Sequence, residues 1–154
     1  MARLLIVAHA PLATALQAVA AHAFPELASR VRALDVAPQA APEQVEAELR
    51  ALLMPPAEAG AEADETLVLT DVFGASPCNI AQRLADGQRV RVLAGVNVPM
   101  LWRALNYATL PLDDLVSRSM AGGTQGVLPI ASTRPQNQAL SSRAHDPNHH
   151  HHQQ

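Results

Sequence analysis

Apolar residues in this chain fall into short unbroken runs and into helically spaced stripes, and the two kinds alternate. Leu4 to Ala8 is unbroken and predicts a strand buried on both faces, the form a parallel sheet requires. From Leu12 to Phe24 the positions Leu12, Leu16, Val19, Ala20 and Ala23 fit a helix, with Pro11 suited to its first position. Val31 to Val36, interrupted by Arg32, predicts a second strand. Ala41 to Met54 is the clearest helix: Val45, Leu49, Leu52 and Leu53 form one stripe, Pro42 fits the first turn, and Glu43 favours the positive end of the dipole. Met54-Pro55-Pro56 stops it, and residues 55 to 65, rich in Pro, Ala, Gly and acid, predict a loop.

The second half repeats the alternation. Thr66 to Val72 predicts a third strand, "FGASP" a turn, and Pro77 to about Ala85 a helix ended by Asp86-Gly87. Arg89 to Ala94 predicts a fourth strand, "GVNVP" a turn, and Pro99 to about Tyr107 a helix. Asp113 to Met120 predicts a further helix ended by Gly122-Gly123, and Gln125 to Ala131 a last strand. This order predicts an α/β fold: a doubly wound, mostly parallel sheet with helices on both faces. Residues 1–131 are expected to form one domain, and residues 132–154 a disordered, polar, His/Gln-rich tail outside the fold.

Composition narrows the function classes. The 154 residues are 49% apolar but only 3% aromatic, so the core is aliphatic. A net charge of −3 argues against nucleic-acid binding, which needs clustered Lys and Arg. With one cysteine, Cys78, the chain forms no internal disulfide and no thiolate metal cluster. No apolar run approaches the roughly 18 residues of a membrane span, and the N-terminus lacks the pattern of a signal peptide. A soluble cytoplasmic protein without membrane insertion is the expectation. The tail holds His145 and His149 to His152, which bind divalent metals weakly at best. No metal site and no cofactor are expected.

Polar residues gather at three predicted strand ends: His9 after the first, Asp71 near the end of the third with Gly74-Ala75-Ser76-Pro77 behind it, and Gly95-Val96-Asn97-Val98-Pro99 after the fourth. Parallel sheets present ligands at this edge. A carboxylate that accepts one imidazole N–H fixes the tautomer, frees the other nitrogen, and stabilises positive charge on the ring. A helix start with small residues and a hydroxyl attracts an anion. Together His9, Asp71 and Gly74-Ala75-Ser76 suit a phosphoryl group carried on imidazole. Taken singly, each has a plainer reading. His9 is a hydrogen-bonded turn residue, Asp71 caps a turn, Ser76-Pro77 opens an ordinary helix, and Asn97 tolerates left-handed geometry in a turn. Cys78 packs as a small hydrophobe, His22 lies at or near the surface, and Trp102 and Tyr107 pack or form an interface. Arg83 and Arg103 either steer an acidic partner or phosphate or belong to solvated helix faces.

The stretches "LLIVAHAPLATAL", "VLTDVFGASPCNIAQRL" and "VLAGVNVPMLWRAL" together resemble the enzyme IIA domain of the mannose family of the bacterial phosphoenolpyruvate:sugar phosphotransferase system, over roughly residues 1 to 131. The resemblance rests on the order His9, then Asp71 to Asn79, then Gly95 to Met100. It implies a protein-histidine phosphotransferase, with His9 accepting a phosphoryl group from the carrier protein HPr. Asp71 would hold Nδ1–H of His9, and Gly74, Ala75 and Ser76 would contact the phosphate. Phe73, Asn97 and Pro99 would line the site or meet the partner. It further implies onward transfer to an enzyme IIB domain, and a homodimer with an antiparallel last strand exchanged between subunits. Ala8 and Ala10 depart from the family, which commonly has a polar residue before the histidine and Gly after it. Only a IIA-like unit is expected in this chain, so the sugar is not legible. The alternative expectation is a stand-alone regulatory IIA whose phosphorylation state controls which partner it binds.

Overall fold

Alternation along two central strands sets the architecture. The structure is a computed structural model and describes residues 1–54 and 65–131. Strands β1 (Arg3–His9), β2 (Val31–Val36), β3 (Thr66–Thr70) and β4 (Val90–Ala94) form one sheet in the order β2-β1-β3-β4, with every pair parallel. Successive side chains of a strand face opposite sides. Leu4, Ile6 and Ala8 of β1, with Leu67 and Leu69 of β3, therefore enter one core, while Leu5, Val7 and Val68 enter the other. The first core is closed by α1 (Leu12–Ala23), α4 (Val98–Asn106) and α5 (Leu112–Gln125). The second is closed by α2 (Pro42–Leu53) and α3 (Ser76–Leu84). The predicted doubly wound α/β sheet with helices on both faces is what the chain forms. Ile6, Leu67, Leu69 and Leu101 are fully shielded, each contributing about 1.5–3 kcal/mol by burial.

The edge strand and the C-terminal elements differ from the sequence expectation. β4 is half-buried along its whole length because it has a neighbour on one side only among the described residues. On α1 the buried residues are Ala13, Leu16 and Ala20, leaving Leu12 and Val19 exposed; the helix is rotated so that its alanines meet the sheet. A short 3-10 segment, Pro25–Arg30, follows it and was not foreseen. Gly122 and Gly123 do not end the last helix. They lie inside α5, where it crosses closely over α4, and a Cβ on Gly122 would sit 2.1 Å from Cγ of Arg103. Their absent side chains make the contact, so their helix-breaking tendency is overridden. The predicted strand from Gln125 to Ala131 is not formed: Gln125 closes α5, and the residues after it pair with no strand among the described residues. Val127, Leu128 and Ile130 are left exposed. The predicted tail and most of the predicted loop at 55 to 65 lie outside the described residues.

Candidate functional site at the sheet switch point

β1 connects through α1 to β2 on one side, and β3 connects through α3 to β4 on the other. The chain direction across the sheet thus reverses between β1 and β3. Crevices outside the strand ends at such a reversal are where open α/β sheets bind ligands. His9 is the last residue of β1, and Asp71 is the first residue after β3.

The two side chains meet there. His9 Nδ1 lies 2.6 Å from Asp71 Oδ2, and the backbone N–H of His9 donates to the same oxygen at 2.9 Å. Asp71 Oδ1 accepts from the backbone N–H of Val72 at 2.8 Å. Partial burial of Asp71 favours its neutral form, but the hydrogen bonds from His9 N–H, the His9 ring and Val72 N–H, with the attraction of the ring charge, outweigh it. The net result holds the carboxyl below the usual carboxylate range, so it is ionised and only accepts. Nδ1 must then be the donor, and the lone pair of neutral His9 sits on Nε2. The imidazole is 49% exposed, whereas Asp71 is only 13% exposed. The arrangement presents a nucleophilic nitrogen to solvent and keeps its orienting carboxylate behind it.

The loop behind Asp71 forms the second wall. Gly74 has φ +87°, a conformation that L side chains rarely adopt, and its carbonyl accepts from Asn79 Nδ2 at 3.0 Å. Ala75 occupies the N-cap of α3, Ser76 is exposed in the first turn, and Pro77 follows. No side chain caps this helix. Its first i→i−4 bond runs from Asn79 N to Ala75 O, so the amides ahead of it precede the helical ladder. Such an end can receive an anion. Phe73 is 74% exposed on the same loop.

Asn97 and Pro99 are structural in this geometry. Gly95 N–H and Val96 N–H bond to the carbonyls of Asp71 and Thr70, each at 2.9 Å, which sets the end of β4 beside that of β3. The left-handed residue in "GVNVP" is Gly95, at φ +90°, and not Asn97, whose backbone is extended. Asn97 caps α4 by accepting from Met100 N–H at 2.9 Å and donates through Nδ2 to Gly123 O at 3.0 Å. Both ends of its amide are thus engaged in joining α4 to α5. Pro99 lies in the first turn of α4, in van der Waals reach of Gly126.

The remaining candidates separate from the site. Arg83 is in the last turn of α3 and pairs with Glu46 at 3.4 Å; seven residues at ~1.5 Å each place it about 10 Å down the helix from Ser76. Arg103 lies in the last turn of α4, under Gly122. Neither helix end faces the strand termini that hold His9. Trp102 meets Phe24 edge to face at 6.5 Å, and Arg118 stacks on Tyr107 at 5.4 Å, as packing residues do. Cys78 is buried and free, and His22 is exposed. Among the described residues no group of three His, Cys, Asp or Glu side chains is placed to hold a metal. No described helix is long and apolar enough to cross a membrane. Sequence reasoning passed over Asp35, which caps α1 from β2. Its signal was an acid inside a mostly apolar strand, one residue from the strand end.

Fold and site define a doubly wound α/β protein with an Asp-oriented histidine at its switch point and an uncapped helix start beside it. The chain belongs to the family described as PTS system fructose IIA component, the mannose-type enzyme IIA family, whose model matches residues 3–120. It is 39% identical over 66 residues to the PTS system fructose-specific EIIA component of Bacillus subtilis (strain 168). That match takes in 42% of this chain and spans 45% of the relative's length, less than half. Among solved structures, the mannose/sorbose specific IIA subunit of the phosphotransferase system from Enterococcus faecalis superposes with a TM-score of 0.73 at 26% identity, covering 86% of this chain and 97% of that one. The phosphotransferase system component EIIA from Streptococcus agalactiae shares the fold, with a TM-score of 0.71 at 23% identity over 84% of this chain and 97% of that one.

Proposed function

We propose that the protein is a cytoplasmic phosphocarrier of the phosphotransferase system, taking a phosphoryl group from phospho-HPr on His9 and passing it to an enzyme IIB or another acceptor. The observation that carries this reading is the 2.6 Å contact between His9 Nδ1 and Asp71, which leaves Nε2 as the nucleophile. The Nε2 lone pair attacks phosphorus in line. The P–N bond to the donor imidazole breaks, and its electron pair returns to the donor ring nitrogen. His9 gains positive charge as the new P–N bond forms, and ionised Asp71 stabilises it through Nδ1–H. The amides of Gly74 and Ala75 and the hydroxyl of Ser76 receive the phosphoryl oxygens at the start of α3. Catalysis of this kind is mostly positioning and electrostatics. Phe73 meets the partner's surface, while Asn97 and Pro99 hold the neighbouring wall.

A homodimer completes the reading. Val127, Leu128 and Ile130 are 76%, 70% and 91% exposed, and β4 offers an open edge. An antiparallel strand exchanged from a second copy would cover both. The decisive experiment is incubation with phosphoenolpyruvate, enzyme I and HPr, followed by intact mass and site mapping. One acid-labile, base-stable phosphate per chain on His9 is expected, and none on His9→Ala. A His9→Ala protein phosphorylated as well as wild type would refute the assignment. Transfer onward to purified IIB separates a transport carrier from a regulatory IIA that retains the phosphate and changes its binding partners.

A further inference from the structure

Asp35 lies on β2, opposite Ala8 in register and one residue before Val36, which pairs with His9. Its carboxylate gathers the start of α1. Oδ1 accepts from the N–H of Ala13 at 2.9 Å and of Thr14 at 3.2 Å, and Oδ2 accepts from Thr14 Oγ1 at 2.6 Å. Beside it, Ala10 N–H donates to the carbonyl of Val36 at 3.0 Å. The link from His9 into α1 is therefore clamped to β2 at both ends, at Ala10 and at Ala13-Thr14. Only Pro11 and Leu12 lie between the clamps.

Of the helices that begin at this edge of the sheet, α1 and α3 follow the two strands that bring His9 and Asp71 together, β1 and β3. Each has a positive end, and a phosphoryl group on His9 would be attracted to either. The two ends are not equivalent. A carboxylate fixed by three hydrogen bonds already fills that of α1. The end of α3 has Ala75 at its N-cap and no side-chain cap among the described residues.

We propose that Asp35 is a positioning residue for phosphoryl transfer through His9, an inference that rests on the phosphocarrier reading above. By filling the N-terminus of α1 it leaves that of α3 as the open end of this pair. By clamping the turn that leaves His9 it keeps the ring on Asp71, with Nε2 aimed outward. An ordinary cap would matter to stability alone. A positioning residue also changes the turnover step and the state of the His9 ring.

The test measures kcat and KM for phospho-HPr together with the ring 15N shifts of His9 in neutral, unphosphorylated protein. In Asp35→Ala, kcat falls about tenfold or more with KM within about twofold, and the ring shows both tautomers where wild type shows Nδ1–H alone. In Asp35→Asn, whose amide oxygen still accepts the two backbone N–H groups, the single tautomer and most of the rate return. An Asp35→Ala protein with wild-type kcat and a single Nδ1–H tautomer overturns the proposal, whatever its melting temperature. Should Asp35→Ala fail to fold, Thr14→Val, which removes the 2.6 Å bond to Asp35 along with the 3.2 Å contact to Pro11 O, must lower kcat in the same direction; a wild-type kcat there overturns the proposal. A wild-type protein that takes no phosphoryl group on His9 overturns the phosphocarrier reading and this inference together. Normal wild-type transfer matched by Asp35→Ala overturns this inference alone.

Discussion

Replacing Asp71 by Asn changes one oxygen for one NH2 group and tests the central contact directly. The wild-type carboxylate accepts from His9 N–H, from the His9 ring and from Val72 N–H. An amide offers one acceptor oxygen, and with that oxygen kept on Val72 N–H at the Oδ1 position the NH2 replaces the Oδ2 that served His9. Its NH2 then faces Nδ1, which must accept and so moves the ring proton to Nε2, the wrong nitrogen for attack. The variant also loses the charge that stabilises the phosphorylated ring. A hydrogen bond to an ionised group contributes about 1.5–3 kcal/mol. Because the imidazole is 49% exposed, solvent screening puts the effect at the lower end, roughly 1.5–2 kcal/mol. At about 1.4 kcal/mol per decade, transfer from phospho-HPr slows about 10- to 30-fold. Rapid-quench transfer at saturating donor measures it, and 15N shifts of the ring report the tautomer. A rate within about twofold of wild type, with Nδ1–H retained, would refute the orienting role. The same pair of proteins carries a pH signature. The folded-state pKa of Asp71 is depressed, so its contribution to stability is present above the ordinary Asp range and is lost as pH falls through the folded value. The stability gap between wild type and Asp71→Asn in urea melts therefore narrows below about pH 4, and a gap that widens there contradicts the charge argument.

Four further outcomes follow from the packing and exposure. Gly126→Ala would put a Cβ 2.3 Å from the Pro99 ring, a rigid neighbour, whereas Gly123→Ala meets chiefly the mobile end of Met100 at 2.7 Å. Thermal melts should show a loss of about 1–3 kcal/mol for Gly126→Ala and a smaller one for Gly123→Ala; the reverse order contradicts the assigned α4–α5 contact. Asn97→Ala removes the α4 cap and the tie to Gly123, so about 1–2 kcal/mol of stability is lost while His9 is still phosphorylated, as intact mass would show. Phe73→Ala should leave stability within about 0.5 kcal/mol and raise KM for phospho-HPr; an unchanged KM removes Phe73 from the partner surface. Leu128→Asp with Ile130→Asp should shift sedimentation from dimer to monomer, and an undisturbed dimer would show that these exposed residues lie outside the interface.

The fold was legible in the sequence where burial is two-sided. Leu4 to Ala8 and Leu67 to Leu69 are unbroken apolar runs because β1 and β3 have a neighbour on each side and a helix layer on each face. The C-terminal part was misread for a reason in the same physics. Gly122-Gly123 ends a helix on local rules, but here the missing side chains let α5 approach Arg103 and Met100, and a tertiary contact outranks propensity. Val127, Leu128 and Ile130 carry a strand-like apolar pattern that nothing among the described residues buries. A pattern of that kind records what a segment packs against, and the partner need not be in the same chain.

Site residues divide the same way. His9, Asp71 and Gly74 were legible because their residue types are unusual for their positions: a histidine closing an apolar strand, an acid beside another strand end, and a turn of small residues opening a helix. Asn97 was picked out for its place in the motif, yet both ends of its amide are spent on Met100 N–H and Gly123 O. Its position near the site thus serves the scaffold, capping α4 and tying it to α5. Asp35 escaped notice because it sits inside an apolar run and its partners, Ala13 and Thr14, belong to a different element. Single-residue chemistry marks the group proposed to react. The groups that hold it still are distributed over neighbouring elements, and only the sheet order β2-β1-β3 brings Asp35 and Asp71 to opposite sides of the same histidine.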